Sequence, residues 1–135
     1  MITGIEHLGF AVSNATEGLD IFQKLLEKPS YKTEVVESEK VNTHFFRIGE
    51  SQIELLESTD PEGVISKFIE KKGQGMHHIA LKTDNLLAEI ERLQSIGFQF
   101  INPVPKKGAD NKLIVFLHPK STAGVLVELC QDISE

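Results

Sequence analysis

The chain has 135 residues, a net charge of −6 and a single cysteine, with 40% hydrophobic and 25% charged residues. That is the composition of a soluble folded domain, and it excludes disordered, collagen-like and disulfide-stapled classes. An acidic chain with no basic cluster, no tryptophan and one tyrosine argues against nucleic acid and polybasic membrane contacts. No apolar run approaches the roughly 20 residues of a membrane span, and the first residues lack the basic and apolar regions of a signal peptide. With a lone Cys130 unable to form an internal disulfide, a cytoplasmic location is expected.

Residues 5–12 read as the first strand. Alternation puts Ile5, His7, Gly9 and Ala11 on one face and Leu8, Phe10 and Val12 on the other. The large apolar face is expected to pack on helices, and the small one leaves room in front of His7. Ser13 and Asn14 sit where an N-cap belongs, before a helix whose Ala15, Leu19, Phe22 and Leu26 lie three or four apart. An extended stretch over 31–36 and an aromatic strand over 43–48 follow. After the turn Gly49-Glu50-Ser51 comes a strand over 52–56, in which Gln52 and Glu54 share a face.

Residues 59–73 read as a connecting helix. Thr59 with Glu62 forms a capping-box pattern, Val64, Ile65, Phe68 and Ile69 make an apolar face, and Gly73 stops it.

The first pattern then returns. His78, Ala80 and Lys82 share one face of a strand, with His77, Ile79 and Leu81 on the other. Thr83 and Asp84 occupy the cap positions of a second amphipathic helix carrying Leu86, Ile90 and Leu93. An extended stretch over 98–101, a turn-rich and mobile loop over 108–112, and a strand over 113–118 are expected next. After the turn at Ala123-Gly124 a last apolar strand begins at 125, with Glu128 aligned with Leu126 and Cys130. Glu54 follows His7 by 47 positions and Glu128 follows His78 by 50. The chain therefore reads as one α+β domain over 1–135 built from two tandem βαβββ modules. Module one spans about 1–58, the connecting helix about 59–73 and module two about 74–131.

Strand parity sends His7, Glu54, His78 and Glu128 to the same side of their half-sheets. A carboxylate on an otherwise apolar strand is expensive to bury unless it is paired or metal-bound. Two imidazoles with one or two carboxylates form a divalent-metal set, and mixed nitrogen and oxygen ligation favours Co, Mn, Ni, Fe or Zn over Ca. His44 and His118 have no repeat-matched partner and read as structural residues; His77 is one residue out of phase with the ligand position.

These residues resemble the vicinal oxygen chelate superfamily, in which two such modules form a curved mixed sheet around a metal-binding cleft. The carrying segments are 6–12, 53–57, 75–80 and above all 116–129, Phe-Leu-His-Pro-Lys-Ser-Thr-Ala-Gly-Val-Leu-Val-Glu-Leu. Within the superfamily the chain is most similar to the methylmalonyl-CoA epimerases. The resemblance implies a metal held by His7, His78 and Glu128, with Glu54 in the remaining ligand position. It also implies a divalent ion of the Co, Mn, Ni or Zn type, a small-molecule acyl-CoA substrate and a homodimer. Epimerisation would run through an enolate, with Glu128 as first base and Glu54 as the weaker candidate for the second. The opposite-face glutamate of some members falls near Thr43, which cannot do that job. Lys106, Lys107, Lys112 and Lys120 are the positive charges available for CoA phosphates. The same fold and ligand layout serve glyoxalase-type lactoylglutathione lyases, the alternative activity, and iron dioxygenases; a non-enzymatic drug binder would need no ligand set.

Overall fold

Two periods, one of two residues and one of 3.6, account for most of the elements in the computed structural model, which describes residues 1–133. Among the described residues the order is β1 (Ile2–Ala11), α1 (Ala15–Leu26), β2 (Lys32–Val36), β3 (Val41–Ile48), β4 (Ser51–Ser58), α2 (Val64–Lys72), β5 (Gly75–Thr83), α3 (Leu86–Ser95), β6 (Lys106–Lys107), β7 (Lys112–Phe116) and β8 (Val127–Asp132). The fold is α+β. Each half runs strand, helix and three strands, with α2 between them. None of the described helices is long and apolar enough to cross a membrane.

The described residues divide into two compact units: residues 8–77, and residues 1–7 with residues 78–133. The division cuts β1, so the first seven residues belong with the second half of the sequence. Thr83 Oγ1 donates to the Met1 carbonyl at 2.9 Å and Thr3 Oγ1 to that of Lys82 at 3.3 Å.

In the unit 8–77, β2, β3 and β4 form an antiparallel meander, with Thr43 opposite both Glu34 and Leu56, and Phe45 opposite Glu54. Val12, Phe46 and Leu55 are buried against Phe10, Leu19, Phe22, Leu26 and Ile53, so the large face of the first strand packs on α1 as its alternation requires. Asn14 caps α1 by accepting from the Glu17 N–H at 3.1 Å. Gly18 lets the helix approach closely, because a Cβ there would lie 3.1 Å from Val12 Cγ1.

In the other unit β5 pairs in parallel with β8, and β7 pairs antiparallel with β8 and with β6. Leu86, Ile90 and Leu93 of α3 cluster with Val115, Leu117, Val127 and Leu129 on one face of these strands. Ala80, Ile114 and Cys130 are buried on the other, with Phe116 packed against them. Ala123 and Gly124 both have positive φ, 57° and 85°, which closes the turn before β8. Leu129→Ala should cost about 2–5 kcal/mol, read from the urea midpoint. Leu129 is 1% exposed, and its side chain packs in the cluster on the helix face.

Three local expectations are corrected. The stretch 98–101 is no strand: it makes one isolated bridge, Phe100 to Leu117, and β6 forms later. Pro103 and Pro105 follow it and lack the N–H groups a ladder needs. Gly63, not Thr59, precedes α2, without a side-chain cap bond. Asp60 instead closes the approach, accepting from the Glu62 N–H at 2.8 Å. Asn85, not Thr83 or Asp84, caps α3 by accepting from the Ala88 N–H at 3.1 Å.

Candidate metal centre

His7 lies on β1 and His78 on β5, with Glu128 on β8. In the parallel register Glu128 stands opposite Ala80, two residues beyond His78 and therefore on its face. The small Ala80 side chain leaves the carboxylate room to turn toward the imidazole. Phe116 stands opposite Glu128 from the other side, its ring edge-on to His78 at a centroid distance of 5.8 Å. The two imidazoles are also edge to face, with centroids 5.1 Å apart.

Three ligand atoms converge. His7 Nε2 and His78 Nε2 are 3.0 Å apart, and Glu128 Oε1 lies 3.7 Å from the first and 3.4 Å from the second. All three residues are buried, at 5%, 6% and 5% exposure. A point about 2 Å from every corner of such a triangle lies just off its plane, the length of a transition-metal bond to imidazole or carboxylate. The donor chemistry agrees: two nitrogens and one charged oxygen suit Zn, Co, Ni or Mn better than the oxygen cages of Ca. A buried carboxylate is costly unless a cation or donor meets it, and a divalent ion would do so for Glu128 while using both imidazole lone pairs.

Behind His7 stands a residue that strand parity does not flag. Glu6 Oε1 accepts from His7 Nδ1 at 3.1 Å, and Glu6 Oε2 lies 3.9 Å from Lys112 Nζ. Lys112 also pairs with Asp132, its register partner on β8, and with Asp110 at 4.0 Å; Lys82 reaches Asp132 at 3.2 Å. Lys112 is thus a buried member of a charge network, not the exposed phosphate-binding lysine its loop position suggested. Lys106, Lys107 and Lys120 are exposed.

Burial pushes the Glu6 carboxyl up, but the His7 hydrogen bond and the Lys112 charge outweigh it and hold it below the usual glutamate range. Asp132 is also held low, chiefly by its hydrogen bond to Lys112, with burial opposing and Lys82 assisting. A carboxyl lowered on folding contributes stability that is complete above its unfolded value, and loses it as pH falls through the folded one. The loss therefore belongs below about pH 4. Asp132→Asn should flatten this part of the acid limb, so that urea midpoints at pH 6 and pH 3 differ less than in the wild type.

The other residues singled out by the sequence are placed as follows. Glu54 is on β4 in the unit 8–77, 4% exposed. Thr43 is fully buried on β3, its hydroxyl without a hydrogen-bond partner among the described residues; it supplies no titratable group, and Glu34 is the carboxylate residue opposite it in the register. His44 Nδ1 meets Thr33 Oγ1 at 3.0 Å, and His118 accepts from the Lys120 N–H at 3.1 Å. His77 turns away from His78 and sets its ring edge-on against Phe68 of α2, with centroids 4.9 Å apart.

The family model described as the glyoxalase/bleomycin resistance protein/dioxygenase superfamily matches residues 6–116. The uncharacterized protein YqjC of Bacillus subtilis is 37% identical over 127 residues, covering 94% of this chain and 91% of that protein. The mitochondrial methylmalonyl-CoA epimerase of Dictyostelium discoideum is 33% identical, covering 93% of this chain and 76% of that protein. Among solved structures, a variant of Streptomyces coelicolor methylmalonyl-CoA epimerase in complex with 2-nitronate-propionyl-CoA matches at a TM-score of 0.94 and 29% identity, covering 99% of this chain and 97% of that one.

Proposed function

Because the chain belongs to the glyoxalase/bleomycin resistance protein/dioxygenase superfamily, we propose that it is a metal-dependent epimerase of methylmalonyl-CoA, interconverting the (R) and (S) forms. The observation that carries this reading is the buried triangle of His7 Nε2, His78 Nε2 and Glu128 Oε1. The similarity to proteins named methylmalonyl-CoA epimerase supplies the substrate class.

Epimerisation needs a proton taken from the α-carbon of a malonyl thioester and another delivered to its opposite face. When bound, a divalent ion of the Co, Mn, Ni or Zn type supplies Lewis-acid polarisation of the thioester and carboxylate oxygens. His7, His78 and Glu128 would hold it. Glu128 points Oε1 at the imidazoles, which leaves its second oxygen to accept the α-proton from one face, while a proton from a donor on the opposite face completes the inversion. The matched halves of the sequence extend the ligand set to Glu54, which is also the weaker candidate for the second proton transfer. Glu54→Gln separates the two roles: a lost ligand weakens metal uptake, and a lost base slows turnover of the loaded enzyme. A homodimer belongs to the same reading and is measured by light scattering.

The test is to incubate one epimer of methylmalonyl-CoA with metal-loaded protein in deuterated water. Incorporation of one deuteron at the α-carbon with formation of the other epimer is expected. A loaded site that leaves the α-hydrogen in place overturns the epimerase and turns attention to lyase chemistry.

A further inference from the structure

We propose that Glu6 is a positioning residue, held by Lys112, that fixes His7 in the tautomer whose Nε2 carries a lone pair and so presents that atom to a metal. The inference rests on the metal reading above and adds two residues that the ligand pattern does not contain.

A carboxylate only accepts hydrogen bonds, so the 3.1 Å contact between Glu6 Oε1 and His7 Nδ1 places the ring proton on Nδ1. A neutral imidazole has one such proton, and Nε2 is then left as the acceptor. Metal-bound histidines are commonly oriented in this way, by a partner on the nitrogen that faces away from the ion. Adjacent strand residues normally point to opposite faces. Glu6 is nevertheless buried, at 7% exposure, and uses one oxygen for His7 while the other faces Lys112 at 3.9 Å. Lys112 is 9% exposed and tied to Asp132 and Asp110, so Glu6 has a fixed cationic neighbour on the side away from His7. The carboxylate is therefore aimed from both ends.

Long-range proton–nitrogen correlation spectra of EDTA-treated protein report the tautomer directly, without any metal or substrate. His7 should be protonated on Nδ1 in the wild type and in Glu6→Gln, whose amide oxygen still accepts. In Glu6→Leu it should shift toward the Nε2-protonated form. If the two Nε2 atoms share a proton in the chelated protein, it must sit on His78. In parallel, Co(II) affinity by competition with a chelating dye should fall about tenfold to a hundredfold in Glu6→Leu and recover in Glu6→Gln.

A wild-type His7 protonated on Nε2 overturns the proposal, whether or not the leucine variant folds. A tautomer and a Co(II) affinity both unmoved by Glu6→Leu overturn it as well. Wild-type protein that takes up no Co(II), but whose His7 tautomer follows Glu6, overturns the metal reading instead and supports the effect of Glu6 on His7.

Discussion

Glu128→Gln is expected to slow exchange of the α-hydrogen by about two to four orders of magnitude, the usual contribution of a positioned proton acceptor. The amide has nearly the size of the carboxylate, so the register with Ala80 and Phe116 and the packing behind β8 should persist. What disappears is the charge and the capacity to accept a proton. Proton NMR of the substrate in deuterated water reads the exchange, and circular dichroism checks the fold. Exchange at the wild-type rate would remove Glu128 from the reaction, whatever its part in holding a metal. Glu128→Asp tests reach: the shorter side chain keeps the charge but withdraws it, so metal uptake and exchange should both drop, with exchange falling further.

Removing either imidazole should abolish tight metal uptake. Three donors within 3.7 Å of one another define the position, and two of them do not. His7→Ala and His78→Ala should each lose more affinity than the roughly tenfold to hundredfold that loss of an outer partner costs. Thermal unfolding with and without added Co(II) or Zn(II) gives a direct reading. A ligand at one hundred times its dissociation constant stabilises the folded state by about 2.7 kcal/mol, a shift the wild type should show and both variants should lack. A metal-dependent shift that survives in both variants would place the ion elsewhere. The apolar clusters on the helix face do not include these residues, so the variants should still fold.

The candidate ligand residues stand out in the sequence because a strand's period is two. His7, surrounded by Gly9 and Ala11, and Glu128, flanked by apolar neighbours, are anomalies against that alternation, and their near-equal spacing from Glu54 and His78 ties them together. The helix face was equally legible from Leu86, Ile90 and Leu93, which are buried together. Less legible were features where several residues compete for one role. Thr83, Asp84 and Asn85 are all good caps by type, and the one whose oxygen reaches the Ala88 N–H is decided by where the chain turns. Lys112 looked like a surface charge because its partner Asp132 is 20 residues away and meets it only through the β7 and β8 pairing. Glu6 was hidden by the parity rule that exposed His7, since adjacent strand residues are read as belonging to opposite faces.

Residue types and local periods therefore carry the donor set, the α+β class and the side of each strand on which a donor sits. They do not carry which donors meet. Glu128 reaches His78 because β5 and β8 pair in parallel with Ala80 opposite it, and His7 joins them because residues 1–7 pack with the second half of the chain. A one-residue slip in that register would turn Glu128 to the helix face with no change in sequence. Periodicity is written in neighbouring residues and can be read locally. Register and strand order arise from contacts between distant segments, and it is these that bring the two imidazoles and the carboxylate within a metal's reach.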